Sequence, residues 1–121
     1  MTIKQLEEKL RKVAMAYPET TEDHPWGHSA FKVRGKAFIF MSSGEKEKPG
    51  ELTLSVKLPQ SHDLALDTGF AEPTGYGMGK HGWVTLTLTP KGTIPLDVVT
   101  KWIDESFRAI APKTVVKKMD S

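Results

Sequence analysis

The sequence predicts an α+β domain with two layers, in which two long terminal helices cover one face of a mostly antiparallel sheet. The chain has 121 residues, which is the size of one domain. Apolar residues recur at helical spacing near both ends of the chain and alternate with polar residues in between. Strand runs flanked by helices in this order are typical of α+β sandwiches. We therefore expect one domain over residues 1–112 and a basic, frayed tail at 113–121.

The two long helices are predicted from single apolar stripes. The first covers residues 2–17: Thr2 and Gln5 have the form of a capping box, and Pro18 ends the helix. The second begins at Pro95, because proline suits the first position of a helix, and ends before Pro112. The stripes consist of Ile3, Leu6, Leu10, Val13, Ala14 and Tyr17, and of Leu96, Val99, Ile103, Phe107 and Ile110. One apolar stripe per helix favours placing both helices on the same face of the sheet.

The strands are predicted between these helices, from alternation and from one apolar run. The clearest alternation covers Glu51–Leu58 and Trp83–Thr89, and a shorter one covers Phe31–Val33. Ala37–Met41 is continuously apolar, which predicts a strand in the interior of the sheet.

Turn-forming residues predict the connections. Residues 18–28 are expected to form a loop without a regular element, and Arg34–Lys36 a tight turn. Residues 59–67 predict a short helix closed by Gly69, and the glycine-rich stretch 69–82 predicts a hairpin.

The alternation also predicts what lies on the second face of the sheet, which we call the helix-free face. Because side chains alternate along a strand, Lys32, Arg34, Lys57 and Trp83 are expected on this face. Cations for phosphates and planar rings for bases are what a nucleic-acid surface requires. The helix-free face is therefore the first candidate for a functional surface.

Composition excludes several classes of protein. The chain has no cysteine, so disulfides, thiolate nucleophiles and cysteine-based zinc sites are excluded. The net charge of +2 does not by itself indicate nucleic acid or an anionic membrane. No apolar run approaches the length of a membrane span, and the first residues lack the apolar core of a secretory signal. We expect a soluble, cytoplasmic protein.

The motifs that resemble catalytic or metal sites fail on spacing. His24 and His28 are separated by Pro25 and Gly27, which exclude a chelating helix, so no metal site is expected. Residues 75–82 lack the Gly-Lys-Ser/Thr ending of a phosphate-binding loop. No serine lies in a nucleophile elbow. We therefore expect a non-enzyme without a cofactor.

Short motifs along residues 1–111 resemble the MmcQ/YjbR family of small bacterial proteins. They are Tyr17-Pro18, Pro25-Trp26-Gly27-His28, Phe31-Lys32-Val33, Gly35-Lys36, Phe38, Lys57, Pro59, Pro73, Tyr76, Met78, Lys80 and Trp83-Val84. The resemblance implies a CyaY/frataxin-like fold and a "double-wing" DNA-binding protein, in which each wing is a β-hairpin. The two hairpins near Arg34–Lys36 and Met78–Gly82 both contain lysine, in agreement with this expectation. Iron binding is not expected, because lysines and an arginine stand among the carboxylates of the first helix.

The sequence thus predicts a DNA-binding protein that acts mainly through phosphate contacts. The expected DNA-binding residues are Lys32, Arg34, Lys36, Lys57, Lys80 and Trp83, with Trp26, His28 and Tyr76 lining a groove. The alternative is a module that binds a small molecule or a protein partner on an aromatic-lined helix-free face. A third possibility is an enzyme that uses His28 or His81 as a base. No recognition helix is evident, so weak sequence selectivity is expected.

Overall fold

The computed structural model describes residues 2–24, 29–42, 50–75, 81–89 and 96–120. In chain order, the elements are α1 (Ile3–Met15), β1 (Thr20–Asp23), β2 (Ser29–Val33), β3 (Lys36–Ser42), β4 (Leu52–Lys57), α2 (His62–Leu66), β5 (Ala71–Pro73), β6 (Trp83–Leu88), α3 (Leu96–Ile110) and α4 (Lys113–Asp120). The strands form one sheet in the order β1-β2-β3-β4-β6-β5, and every neighbouring pair is antiparallel. The predicted α+β fold is confirmed, with β3 in the interior of the sheet.

The hydrophobic core lies between one face of this sheet and the helices. Leu54 and Val56 of β4 face it, beside their partners in β6, and are at most 1% exposed. The helices contribute the apolar stripes that the sequence predicts, including Leu6 and Phe107, which are both fully buried. Burying a side chain of this size stabilises the fold by about 1.5–3 kcal/mol.

The first helix begins with the predicted capping box. The Gln5 N–H donates to Thr2 Oγ1 at 3.1 Å, and the Thr2 N–H donates to Gln5 Oε1 at 2.9 Å. The helix ends at Met15, ahead of Pro18, which cannot donate a backbone hydrogen bond. Tyr17 then turns into the core and stacks on Phe107, with ring centroids 4.6 Å apart.

The expectation of a plain loop over residues 18–28 is wrong for its first half, because Thr20–Asp23 forms β1 at the edge of the sheet. Its inward residues are Thr20, opposite Val33, and Glu22, opposite Phe31, so the strand has no apolar alternation to detect. The Glu22 carboxylate is instead satisfied by Arg11, whose Nε lies 3.0 Å away, and by the Ser29 hydroxyl at 2.9 Å. A paired glutamate thus takes the place of a core residue.

The expectation of a frayed tail is also wrong, because Lys113–Asp120 forms helix α4. Val115 is fully buried in the core, and Met119 packs partly against it. Arg108 of α3 donates from both terminal nitrogens to the Asp120 carboxylate, at 2.7 and 2.8 Å. With one buried apolar residue, α4 offers little periodicity, so its lysines dominate the sequence pattern.

The second half of the sheet agrees with the predicted order. The short helix is α2, and Gly69 after it has a φ of +86°. β5 and β6 pair as antiparallel strands, although residues 76–80 between them lie outside the described part of the chain. Pro95, the predicted start of the last long helix, also lies outside it, and α3 is described from Leu96.

Candidate nucleic-acid interface

The helix-free face is defined by strand register, because residues paired across antiparallel strands point to the same side of a sheet. Lys57 pairs with Trp83 and Ser55 with Thr85, one step out of phase with the core residues of the same strands. The described residues on this face are Thr21, Asp23, Ala30, Lys32, Ala37, Phe40, Ser42, Thr53, Ser55, Lys57, Glu72, Trp83, Thr85 and Thr87. Lys32, Lys57 and Trp83 therefore lie on the predicted face.

Arg34 does not lie on this face, so that expectation is wrong. Arg34 and Gly35 form a two-residue turn between the paired residues Val33 and Lys36, with φ angles of +48° and +82°. Two positive φ angles define a type I′ turn, whose twist suits a tight β-hairpin. Strand alternation ends at the turn, and the Arg34 side chain instead lies against Glu19, with Nε 3.0 Å from Oε1.

The charges on the described helix-free face are balanced. Its cations are Lys32 and Lys57, and its carboxylates are Asp23 and Glu72. Lys32 Nζ lies 2.9 Å from Asp23 Oδ2 in the neighbouring strand. Lys57 has no ion pair with any described residue. The centre of the face therefore cannot attract a polyanion through excess charge.

The aromatic residues of this face pack against each other. The rings of Phe40 and Trp83 lie across β4 with their centroids 5.6 Å apart. Hydroxyls surround them: Ser55 Oγ is 2.9 Å from Thr85 Oγ1, which is 3.0 Å from Thr74 Oγ1. Trp83 is only 8% exposed. A ring so buried offers little surface to a stacking base.

The cations are concentrated at one end of the sheet, which we call the hairpin end. Here β2 ends, β3 begins, β4 ends and β6 begins, as the pairs Val33 with Lys36 and Lys57 with Trp83 require. The cations at this end are Lys32, Arg34, Lys36 and Lys57. Neighbouring strands lie about 4.8 Å apart, so Lys32 on β2 and Lys57 on β4 are separated by about 10 Å across the sheet.

Half of these cations are already neutralised within the protein. Lys32 is paired with Asp23, and Arg34 with Glu19. The hydrogen bond and charge of Arg34 lower the pKa of the Glu19 carboxyl, so this pair stays ionised at neutral pH. Lys36 and Lys57 have no ion pair among the described residues, and Lys36 is exposed. The hairpin end therefore has two lysines free to meet an anion.

A buried serine that sequence analysis assigned no role holds Lys57 in place. The β3–β4 ladder ends at the pair Ile39 and Val56, and Phe38 is the extra residue of a bulge between β2 and β3, so Phe38 and Lys57 are not paired. Ser106 of α3 bridges the gap: its Oγ accepts from the Lys57 N–H at 2.9 Å and donates to the Phe38 carbonyl at 2.6 Å. The only signal in the sequence is a serine next to Phe107 on the apolar stripe of a helix.

Four of the predicted site residues lie outside the described residues. They are Trp26, His28, Tyr76 and Lys80. The predicted groove lining therefore lies outside the described residues. Most of the second predicted wing, Met78–Gly82, also lies outside them, since the described residues resume at His81. These assignments remain predictions from the sequence.

The acidic cluster on α1 and β1 surrounds an internal cation. Arg11 donates to Glu7 at 3.0 Å and to Glu22 at 3.0 Å, and also contacts Glu8. His24 is exposed, with Nε2 3.6 Å from Glu22. Within the described ranges, no three His, Cys, Asp or Glu side chains are grouped so that they could hold a metal ion. In those ranges, too, no helix is long and apolar enough to cross a membrane.

A layer of helices on one face of an antiparallel sheet, with a basic β-hairpin at one end, is an architecture shared with known proteins. The sequence profile of the YjbR family matches residues 15–109. The chain therefore belongs to the YjbR family, as the motifs around Tyr17, Lys57 and Trp83 predict.

A solved structure has the same fold. It is the crystal structure of Deinococcus radiodurans protein DR2400, which has a DUF419 domain. The two align with a TM-score of 0.71 over 93% of this chain and 86% of that chain, at 21% sequence identity. No curated protein matches the chain.

Proposed function

We propose that this protein binds DNA without catalysing a reaction, and that the hairpin end of the sheet contacts the phosphates. The observation that supports the proposal is the strand register, which gathers Lys32, Arg34, Lys36 and Lys57 at one end of the sheet. Among the described residues, two carboxylates, Asp23 and Glu19, are paired with these cations. Phosphate contacts of this kind provide affinity and position a protein on DNA, but they do not read sequence.

The proposal places the contacts at the end of the sheet rather than on the centre of the helix-free face. The centre has balanced charge, and Trp83 is too buried to stack on a base. Lys36 and Lys57, in contrast, have no ion pair with a described residue that a phosphate would have to displace. Weak selectivity follows, because the described helices pack on the core side of the sheet and none of them lies on the helix-free face.

The absence of catalysis is proposed because the buried hydroxyls have structural partners. Ser106 joins Phe38 to Lys57, and Ser29 donates to Glu22. Neither hydroxyl is hydrogen-bonded to a histidine that could act as a base, within the residues that the structure describes.

The proposal is tested by measuring the affinity of the full chain for a fluorescent DNA duplex at several salt concentrations. Each phosphate contact contributes about 0.9 to the slope of log K against log salt. For Lys36→Gln with Lys57→Gln, we expect the slope to fall by about 1.8 and the affinity at 0.1 M salt to fall roughly 60-fold.

The matched control is Lys4→Gln with Lys101→Gln, which removes the same charge from exposed positions on α1 and α3. This control should keep the slope of the unmodified protein. The proposal is contradicted if the unmodified protein shows no binding at 50 mM salt, or if both double variants lower the slope equally. A small anionic ligand that raises the melting temperature when DNA does not would instead favour the alternative class of binding module.

A further inference from the structure

Helix α4 contains as much excess charge as the whole chain. The net charge of the chain is +2. Within α4, Lys113, Lys117 and Lys118 oppose a single carboxylate, Asp120. That carboxylate is already bound by Arg108. The 8 residues of α4, with three lysines and one aspartate, therefore have the same net charge as the 13 residues of α1, with four cations and two glutamates.

Packing and hydrogen bonds hold α4, and with it the backbone of its lysines, against the rest of the domain. Val115 anchors the helix in the core, and the double hydrogen bond between Arg108 and Asp120 holds its last turn against α3. Arg108 also donates to Asp104 at 2.7 Å, and Asp104 accepts from the Tyr17 hydroxyl at 2.9 Å. This network joins α4 to α3 and to the end of α1. A cation on such a support loses less freedom on binding than one on a loose tail.

The last turn of α4 adjoins the hairpin end of the sheet. Glu19, which lies directly before β1, is hydrogen-bonded to Arg34 of the hairpin. Met119, in the last turn of α4, lines one cavity together with Pro18, the residue before Glu19. The end of α4 therefore lies beside Glu19 and beside the hairpin cation that Glu19 binds.

Helix stability accounts for the lysines in the last turn of α4, Lys117 and Lys118, but not for Lys113. A cation in the first turn opposes the helix dipole, and α4 begins with Lys113 and has no acidic residue in its first turn. Lys113 and Lys117 are exposed, are separated by one turn, and have no ion pair with any described residue. Four residues of helix rise by about 6 Å, close to two phosphate steps along one DNA strand, which rise about 3.4 Å each.

We propose that the outer face of α4 is a second phosphate-contacting surface, continuous with the hairpin end, and that duplex DNA lies across both. The inference rests on the proposed DNA binding and adds a site to it. α4 lies beyond residues 15–109, where the family profile matches, so family membership does not imply this site. An anionic membrane fits less well, because the apolar face of α4 is packed on the core and cannot enter a bilayer.

The test compares three double variants of the full chain in the DNA titration: Lys113→Gln with Lys117→Gln, Lys36→Gln with Lys57→Gln, and the control Lys4→Gln with Lys101→Gln. The α4 variant should lower the salt slope by about 1.8 and weaken binding roughly 60-fold at 0.1 M salt, as two lost phosphate contacts require. Circular dichroism should show that all variants keep the helix content of the unmodified protein.

The outcomes separate the two proposals. If the hairpin variant loses affinity and the α4 variant matches the control, the α4 site is wrong while DNA binding stands. If the unmodified protein does not bind the duplex, the proposed function fails, and the α4 site fails with it. Vesicles containing phosphatidylserine serve as a further probe: α4-dependent binding to them without α4-dependent DNA binding would overturn the assignment to DNA.

Discussion

Replacing Ser106 by alanine removes a fully buried hydroxyl that joins two strands beneath Lys57. The hydroxyl satisfies the Lys57 N–H and the Phe38 carbonyl, which lie just past the last pair of the β3–β4 ladder. Each buried polar group left without a partner costs about 1–3 kcal/mol, so we expect Ser106→Ala to lower the free energy of unfolding by about 3 kcal/mol. For a domain of this size, that change lowers the melting temperature by roughly 12 °C.

The measurement is guanidinium unfolding followed by tryptophan fluorescence, with Ser55→Ala as the control. Ser55 lies in the same strand as Lys57, but its hydroxyl is on the helix-free face and shares a hydrogen bond with Thr85. Water can replace that partner, so the control should lose about 1 kcal/mol or less. If Ser106→Ala destabilises the protein no more than Ser55→Ala does, the bridge does not join the strands as described.

Three further predictions concern the hairpin and the attachment of α4. Gly35→Ala should lower the free energy of unfolding by about 1–2 kcal/mol in thermal unfolding, because Gly35 has a φ of +82°, which strains the backbone of an alanine. A Cβ at this position would meet no atom within 4 Å, so a steric clash does not add to the loss. Burial, followed by the hydrogen bond to Asp104, raises the pKa of Tyr17 above its ordinary value. The unfolded chain then releases this proton first, so stability should fall as the pH rises above about 10, and Tyr17→Phe should remove that part of the decline. Asp120→Ala should speed amide hydrogen exchange in α4 more than in α3, because it removes the partner of Arg108.

Each of these predictions has an outcome that contradicts it. Gly75→Ala is the control for the turn, since its Cβ also meets nothing within 4 Å and its φ is not positive; equal losses at both glycines would argue against strain. An unchanged alkaline stability profile in Tyr17→Phe would mean that the tyrosine titrates alike in the folded and unfolded chain. Equal exchange rates in α4 before and after Asp120→Ala would show that Val115 alone holds the helix.

The sequence predicts those elements whose local pattern agrees with their place in the fold. The capping box at Thr2 fixes the start of α1, and the alternation in β4 and β6 fixes which face is buried. The alternation of side chains along β4 and β6 therefore places Lys57 and Trp83 correctly on the helix-free face. The motifs around Tyr17 and Trp83 predict the YjbR family, which the profile match confirms.

The sequence fails where a long-range contact replaces a local pattern. β1 could not be predicted from its own sequence, because the carboxylate of its inward residue Glu22 is satisfied by Arg11 and Ser29 from other elements. α4 could not be predicted from its own sequence, because Val115 is its one fully buried residue and its lysines dominate the pattern. The role of Ser106 depends on its contact with Phe38, which is 68 residues away in the sequence, so no local spacing indicates it.

The central claim, that DNA lies against the hairpin end, is tested most directly by mapping amide chemical shifts of the labelled protein during a titration with duplex DNA. The account predicts that shifts concentrate at Arg34–Lys36, at Lys57 and on α4, and that they disappear as salt is added. Shifts concentrated at the opposite end of the sheet, around Ser42, Leu52 and Leu88, would contradict it.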